Sequence, residues 1–103
     1  MRSFLDKIRR YASVITYIES FGFQRLAEEE REQLDGFFRN TQILPLTDGI
    51  AGQTITLRQQ RRMGLGDAII AATAITHNLA LVTHNTEDFR WIAGLELLDP
   101  LEI

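Results

Sequence analysis

Apolar and polar positions along this chain fall into short blocks whose period switches between that of a helix and that of a strand. Phe4-Leu5-Asp6-Lys7-Ile8-Arg9-Arg10 has the spacing of the end of an amphipathic helix, with Phe4, Leu5 and Ile8 on one face. Tyr11-Ala12-Ser13-Val14-Ile15-Thr16 is rich in β-branched residues and predicts a strand, after which Tyr17 to Phe23 turns helical around Glu19. Glu28 to Phe38 predicts a helix with Leu34, Phe37 and Phe38 as its apolar stripe. Gln42 to Leu46 predicts a strand, with Pro45 marking its end or an edge. Thr47 or Asp48 caps a helix running to about Met63, with Ile50, Ile55 and Leu57 facing inward. Gly64 and Gly66 break it. A small-residue apolar helix opened by Asp67 continues to about His77, followed by the strand Leu79-Ala80-Leu81-Val82-Thr83 and a short helix near Glu87–Ile92. Leu95 to Leu98 is the last strand, closed by Asp99-Pro100.

Alternating helices and strands imply an α/β fold: a mainly parallel sheet with right-handed crossovers and helices on both faces, hence three layers. The chain opens in a helix with no strand before it, and a doubly wound fold ordinarily opens with a central strand.

Composition narrows the class. At 103 residues the chain predicts a single domain. No apolar run approaches the ~18 residues that span a bilayer, and MRSFLDKIRRY has no secretory core. The absence of cysteine excludes disulfides, thiol nucleophiles and thiolate zinc sites, and fits the cytoplasm. A net charge of −3 argues against a broadly basic nucleic-acid coat, although Arg58, Arg61 and Arg62 make a local basic patch able to meet RNA phosphate.

Three acids are the candidates for chemistry. Glu19 follows the first predicted strand, Asp67 opens a helix, and Asp88 follows the strand ending near Thr83. In parallel α/β sheets, ligands collect outside the carboxyl ends of strands. Clustered carboxylates repel unless a cation neutralises them, and Mg²⁺ or Mn²⁺ accepts carboxylate oxygens and water as ligands. Such an ion activates water and stabilises charge on a phosphoryl group. Taken singly, Asp67 is better read as a helix cap, and Glu87 and Asp88 as complements to a helix dipole; only their joint arrangement at strand ends, with Glu19, favours the functional reading. Ser13, Thr83, Asn85 and Arg62 are candidate substrate-binding residues. Each also has a structural account: core serine, strand-end threonine, turn asparagine, solvated helix face.

Three segments carry a family resemblance: Ser13-Val14-Ile15-Thr16-Tyr17-Ile18-Glu19, Asp67-Ala68-Ile69-Ile70-Ala71-Ala72-Thr73-Ala74, and Leu81-Val82-Thr83-His84-Asn85-Thr86-Glu87-Asp88-Phe89. Together they resemble the PIN-domain family, and within it the VapC-type toxins of bacterial toxin–antitoxin pairs. The tail from Ile92 to Pro100 is similar to the family's closing strand. The resemblance implies a magnesium-dependent ribonuclease with a carboxylate cluster, usually dimeric and inhibited by a small VapB-like antitoxin. Glu19, Asp67 and Asp88 match the family's catalytic, metal-holding acids, with Asn85 an auxiliary polar position. The family opens with an apolar strand ending in aspartate, and no such segment occurs here; the start resembles the end of the helix that follows it. The resemblance therefore predicts an N-terminally shortened PIN-like domain over 1–103, with a homodimer, domain-swapped or otherwise, covering the exposed strand edges.

Two main functions follow. One is a metal-dependent endoribonuclease hydrolysing RNA phosphodiesters. The other is a catalytically impaired PIN module that binds RNA, an antitoxin or a second copy. A receiver-like or nucleotide-binding domain ranks behind both, because a phosphate-binding glycine loop and a first-strand acidic pair are missing.

Overall fold

A computed structural model describes residues 10–100, so the predicted N-terminal helix end lies outside the described residues except for its last residue, Arg10, which is in a strand instead. The chain packs as two compact units, Met1–Pro45 and Leu46–Ile103. Each contains helices and one pair of parallel strands, in keeping with the α/β reading.

In the first unit, β1 (Arg10–Ser13) pairs in parallel with β2 (Thr41–Leu44), with Arg10 opposite Thr41 and Ser13 opposite Leu44. Between them come α1 (Val14–Phe21) and α2 (Glu28–Arg39). The first strand is shorter than its sequence suggests, because Val14, Ile15 and Thr16 are helical. Ser13 is the cause. Its side chain accepts a hydrogen bond from the Ile15 N–H at 3.1 Å, and this cap starts the helix against the β preference of the next three residues. At the far end, the Gly22 N–H closes on the Ile18 carbonyl at 2.7 Å. A Cβ on Gly22 would lie 2.7 Å from that oxygen, so the close approach requires glycine.

α2 carries Glu28, Glu29 and Glu30 in its first turn and Arg39 in its last, each sign matched to the helix dipole. The Ala27 N–H also donates to Glu30 Oε1. α1 and α2 meet through aromatic rings. Tyr17, Phe21 and Phe38 lie 5.1–5.6 Å apart between centroids, and Phe37 abuts Phe38 edge-on at 5.0 Å. Leu34 and Phe38 are half-buried as expected, whereas Phe37 is exposed on its outer side.

The second unit is built on α3 (Asp48–Gln60) against α4 (Leu65–Thr76). Thr47 caps α3, accepting from the Ile50 N–H at 3.2 Å. The buried stripe of α3 is Ile50, Thr54 and Leu57, spaced four and three apart as helix geometry demands. Ile55 departs from expectation: it falls off that stripe and is 58% exposed. Thr54 takes the inward place, its hydroxyl satisfied by donating to the Ile50 carbonyl at 2.8 Å. α4 buries Ala68, Ile69, Ala71, Ala72, Thr73 and Ala74, nearly its whole circumference. Alanines let neighbouring backbone approach closely, and Thr73 repeats the solution of Thr54 by bonding the Ile69 carbonyl.

α4 ends in a Schellman turn. Asn78 is left-handed at φ 54°, its N–H reaches the Ile75 carbonyl, and the Leu79 N–H reaches Ala74. β3 (Leu81–Val82) then pairs in parallel with β4 (Leu97–Leu98), and α5 (Thr86–Phe89) lies between them in sequence. These two strands are shorter than predicted. Phe89 and Ile92 are buried, as core anchors under the loop that follows α5.

Candidate functional site

Each predicted site residue has a definite local setting. Glu19 is the sixth residue of α1, in its second turn, rather than a residue just beyond a strand end. The early start of α1 makes the difference. Glu19 is exposed, with Tyr17 and Ile18 beside it also largely in solvent at 40% and 56%. Ser13 is buried and its oxygen is engaged as the α1 cap.

Asp67 is the third residue of α4, and Gly64 is the N-cap. The alternative account of Asp67 as the cap is thereby set aside. Its carboxylate is exposed, sits in the turn where unpaired backbone N–H groups favour negative charge, and makes no hydrogen bond or ion pair among the described residues.

Asp88 lies in the first turn of α5 together with Glu87, behind Asn85 as N-cap. The two acids differ. Glu87 pairs with Arg90 one turn on, whereas the exposed Asp88 carboxylate has no side-chain partner among the described residues. Asn85 makes no side-chain cap bond to α5, so its amide is uncommitted there. Thr83 directs the turn before it: the Thr83 N–H donates to the Leu98 carbonyl, and its hydroxyl oxygen accepts from the Asn85 N–H at 3.0 Å. That bond fixes the loop from β3 to α5 and so the place of Asp88. His84 in the same loop points its Nδ1 at Asp99, 3.5 Å away.

Within the second unit, the exposed side chains of Asp67, Asn85 and Asp88 offer oxygen atoms, the donor type that suits a hard divalent cation and not a soft one. Among the described residues, no three His, Cys, Asp or Glu side chains are already grouped as a metal site. Glu19 belongs to the first unit, and Asp67 and Asp88 to the second.

Arg62 lies just past α3, on an open groove of about 680 Å³ whose walls include Ile55, Arg58, Gln59, Arg61 and Leu65. Trp91, just past α5, carries no chemical signal in the sequence. In the fold it is half-buried, the Arg61 guanidinium lies over its ring at 5.6 Å from the centroid, and its indole N–H donates to the Asp88 carbonyl at 3.0 Å. Arg61 is the C-cap of α3 and Trp91 follows α5, far apart in sequence, so no local spacing signals the pair.

Comparison with known proteins places this architecture. The PIN domain model matches residues 2–95, and the chain belongs to the PIN-domain family. A curated relative, ribonuclease VapC1 of Rickettsia felis, is 51% identical over 41 residues, covering 40% of this chain and 31% of the relative. The match thus spans about a third of that relative's length. Among solved structures, a toxin–antitoxin complex from Klebsiella pneumoniae superposes with a TM-score of 0.73 at 32% identity, covering 97% of this chain and 82% of the other. DNA-bound VapBC from Salmonella typhimurium gives a TM-score of 0.77 at 26% identity, covering 92% and 78%. The fold is therefore the PIN-like α/β fold, and its relatives are VapC ribonucleases and toxin–antitoxin complexes. Among the described residues, no helix is long and apolar enough to cross a membrane.

Proposed function

We propose that this chain is a VapC-type endoribonuclease that hydrolyses RNA phosphodiester bonds with a divalent cation, Mg²⁺ or Mn²⁺, for which Asp67 and Asp88 of the second unit are the proposed ligands; Glu19, on the first unit, is proposed as a further catalytic, metal-binding acid on the strength of the family resemblance. The observation that carries the proposal is the state of Asp67. A solvent-facing carboxylate in the first turn of a largely apolar helix, without a side-chain partner among the described residues, has no role in stability beyond the helix dipole. Asp88 repeats the pattern beside a neighbour, Glu87, that is paired. Family membership over residues 2–95 supports giving both the same task.

A cation bound there supplies a polarised water and offsets charge on the phosphoryl oxygens. The chain's own part is to hold and orient. The Thr83 bond fixes the α5 loop that presents Asp88, and Gly64 starts α4 so that Asp67 stands in its first turn. Asn85 offers an uncommitted amide to water or phosphate, and Arg62 an exposed cation to the RNA backbone. Ser13 acts on the site only through α1, as the cap of the helix that carries Glu19.

A VapB-like antitoxin and a second copy of the chain are the proposed protein partners. Toxin–antitoxin complexes among the structural neighbours support the first. Exposed Ile18, Phe23 and Phe37 in the first unit are large apolar side chains of the kind such contacts cover. A cytoplasmic location accords with this reading.

The test is a melting curve paired with an RNA digest. Mg²⁺ or Mn²⁺ raises the Tm of the wild type by mass action and supports cleavage, and Asp67→Asn loses both effects. A wild type that binds RNA yet never cleaves it in either metal is instead a binding module.

A further inference from the structure

The chain is acidic overall at −3, yet Arg58, Arg61 and Arg62 crowd the end of α3. Among the described residues, none of their guanidinium groups joins an ion pair, and all three line one groove. The groove walls hold no aspartate or glutamate; its other polar groups are threonine and glutamine. Three uncompensated cations in one concavity of an anionic protein attract a polyanion. Arg61 is special among them. Stacking over Trp91 restrains its planar fork, so less conformational freedom is lost when it grips a phosphate. The same indole is tied to the backbone of Asp88, so the arginine that faces the groove is linked through one ring to the α5 acid.

We infer that this groove is the track for the backbone of single-stranded RNA, with Arg58, Arg61 and Arg62 contacting successive phosphates and Trp91 acting as a positioning residue that sets Arg61 relative to Asp88. The inference rests on the ribonuclease reading for its substrate, but it concerns binding and stands apart from cleavage. Exposed Ile55 and Leu65 flank the arginines and offer apolar surface to unstacked bases.

The test is fluorescence anisotropy of a short labelled RNA of mixed sequence, titrated with protein in EDTA across a range of salt. Each phosphate contact contributes about 0.7 to the slope of log affinity against log salt, or about fivefold in affinity at 0.1 M. The triple variant R58Q/R61Q/R62Q should therefore bind about 100-fold more weakly at 0.1 M salt and lose about 2 from the slope. A purely structural change leaves the slope alone. Should the triple variant fail to fold, Arg58→Gln and Arg62→Gln, at exposed positions, each remove about 0.7 on their own. Trp91→Phe keeps the slope while raising KM or lowering kcat for RNA cleavage. Unchanged affinity and slope in the arginine variants overturn the inference, as does a wild type that binds no RNA. If the wild type cleaves while the triple variant binds and cleaves equally, the groove is wrong and the ribonuclease stands. If the wild type binds with the expected slope and never cleaves, the reverse holds.

Discussion

Ser13 shows how one hydroxyl changes the reading of a segment. β-branched residues at Val14, Ile15 and Thr16 favour a strand, yet all three are helical because the Ser13 oxygen meets the Ile15 N–H. Ser13→Ala should cost about 1 kcal/mol in urea unfolding, and Ser13→Thr, which keeps a neutral hydroxyl at this buried cap, should recover part of it. Equal stability of wild type and Ser13→Ala would return Ser13 to the substrate-binding residues. Asn78 is a second such position. Its left-handed backbone predicts that Asn78→Gly is tolerated, while Asn78→Val loses about 1–2 kcal/mol. Thr47 as a helix cap was readable from sequence, because a cap is a local bond between near neighbours. The Arg61–Trp91 stack was not, because tertiary packing alone creates it.

Among the elements, the α3–α4 pair decides the stability of the second unit. Its sequence signals were partly sufficient. The apolar content of Ala68 to Ala74 announces a buried helix, and Ile50 and Leu57 fall on the inward stripe as expected. Ile55 misleads because hydrophobicity outvoted geometry: the stripe passes through Thr54, whose hydroxyl is satisfied within the helix. Ile50→Ala should accordingly destabilise by about 2–5 kcal/mol, whereas Ile55→Ala should stay within about 0.5 kcal/mol. Ala72 is fully enclosed, and Ala72→Leu should cost about 1–3 kcal/mol through overpacking. Chemical denaturation of the three variants checks the ranking. Strand lengths were overestimated for a related reason: Leu79, Ala80 and Leu95 have strand-like composition, but only Leu81–Val82 and Leu97–Leu98 pair.

At the level of the whole chain, belonging to the PIN family joins the separate observations. The candidate acids stand out in the sequence because their order and neighbours resemble that family, and the fold adds their settings: all three are exposed, Glu19 on a helix capped by the Ser13 side chain, Asp67 and Asp88 in first turns that follow Gly64 and Asn85. What spacing did not reveal was the difference between Glu87 and Asp88, which an ion pair to Arg90 separates. If Asp88 is the working acid, Glu87→Gln should leave RNA cleavage within about twofold, in line with the small worth of an exposed pair. The account stands most directly on cleavage of end-labelled single-stranded RNA in Mg²⁺ by the wild type and by Glu19→Gln, Asp67→Asn and Asp88→Asn, each with and without excess EDTA. It predicts cleavage by the wild type alone, abolished by EDTA; cleavage that persists in EDTA, or survives in Asp67→Asn, would contradict it.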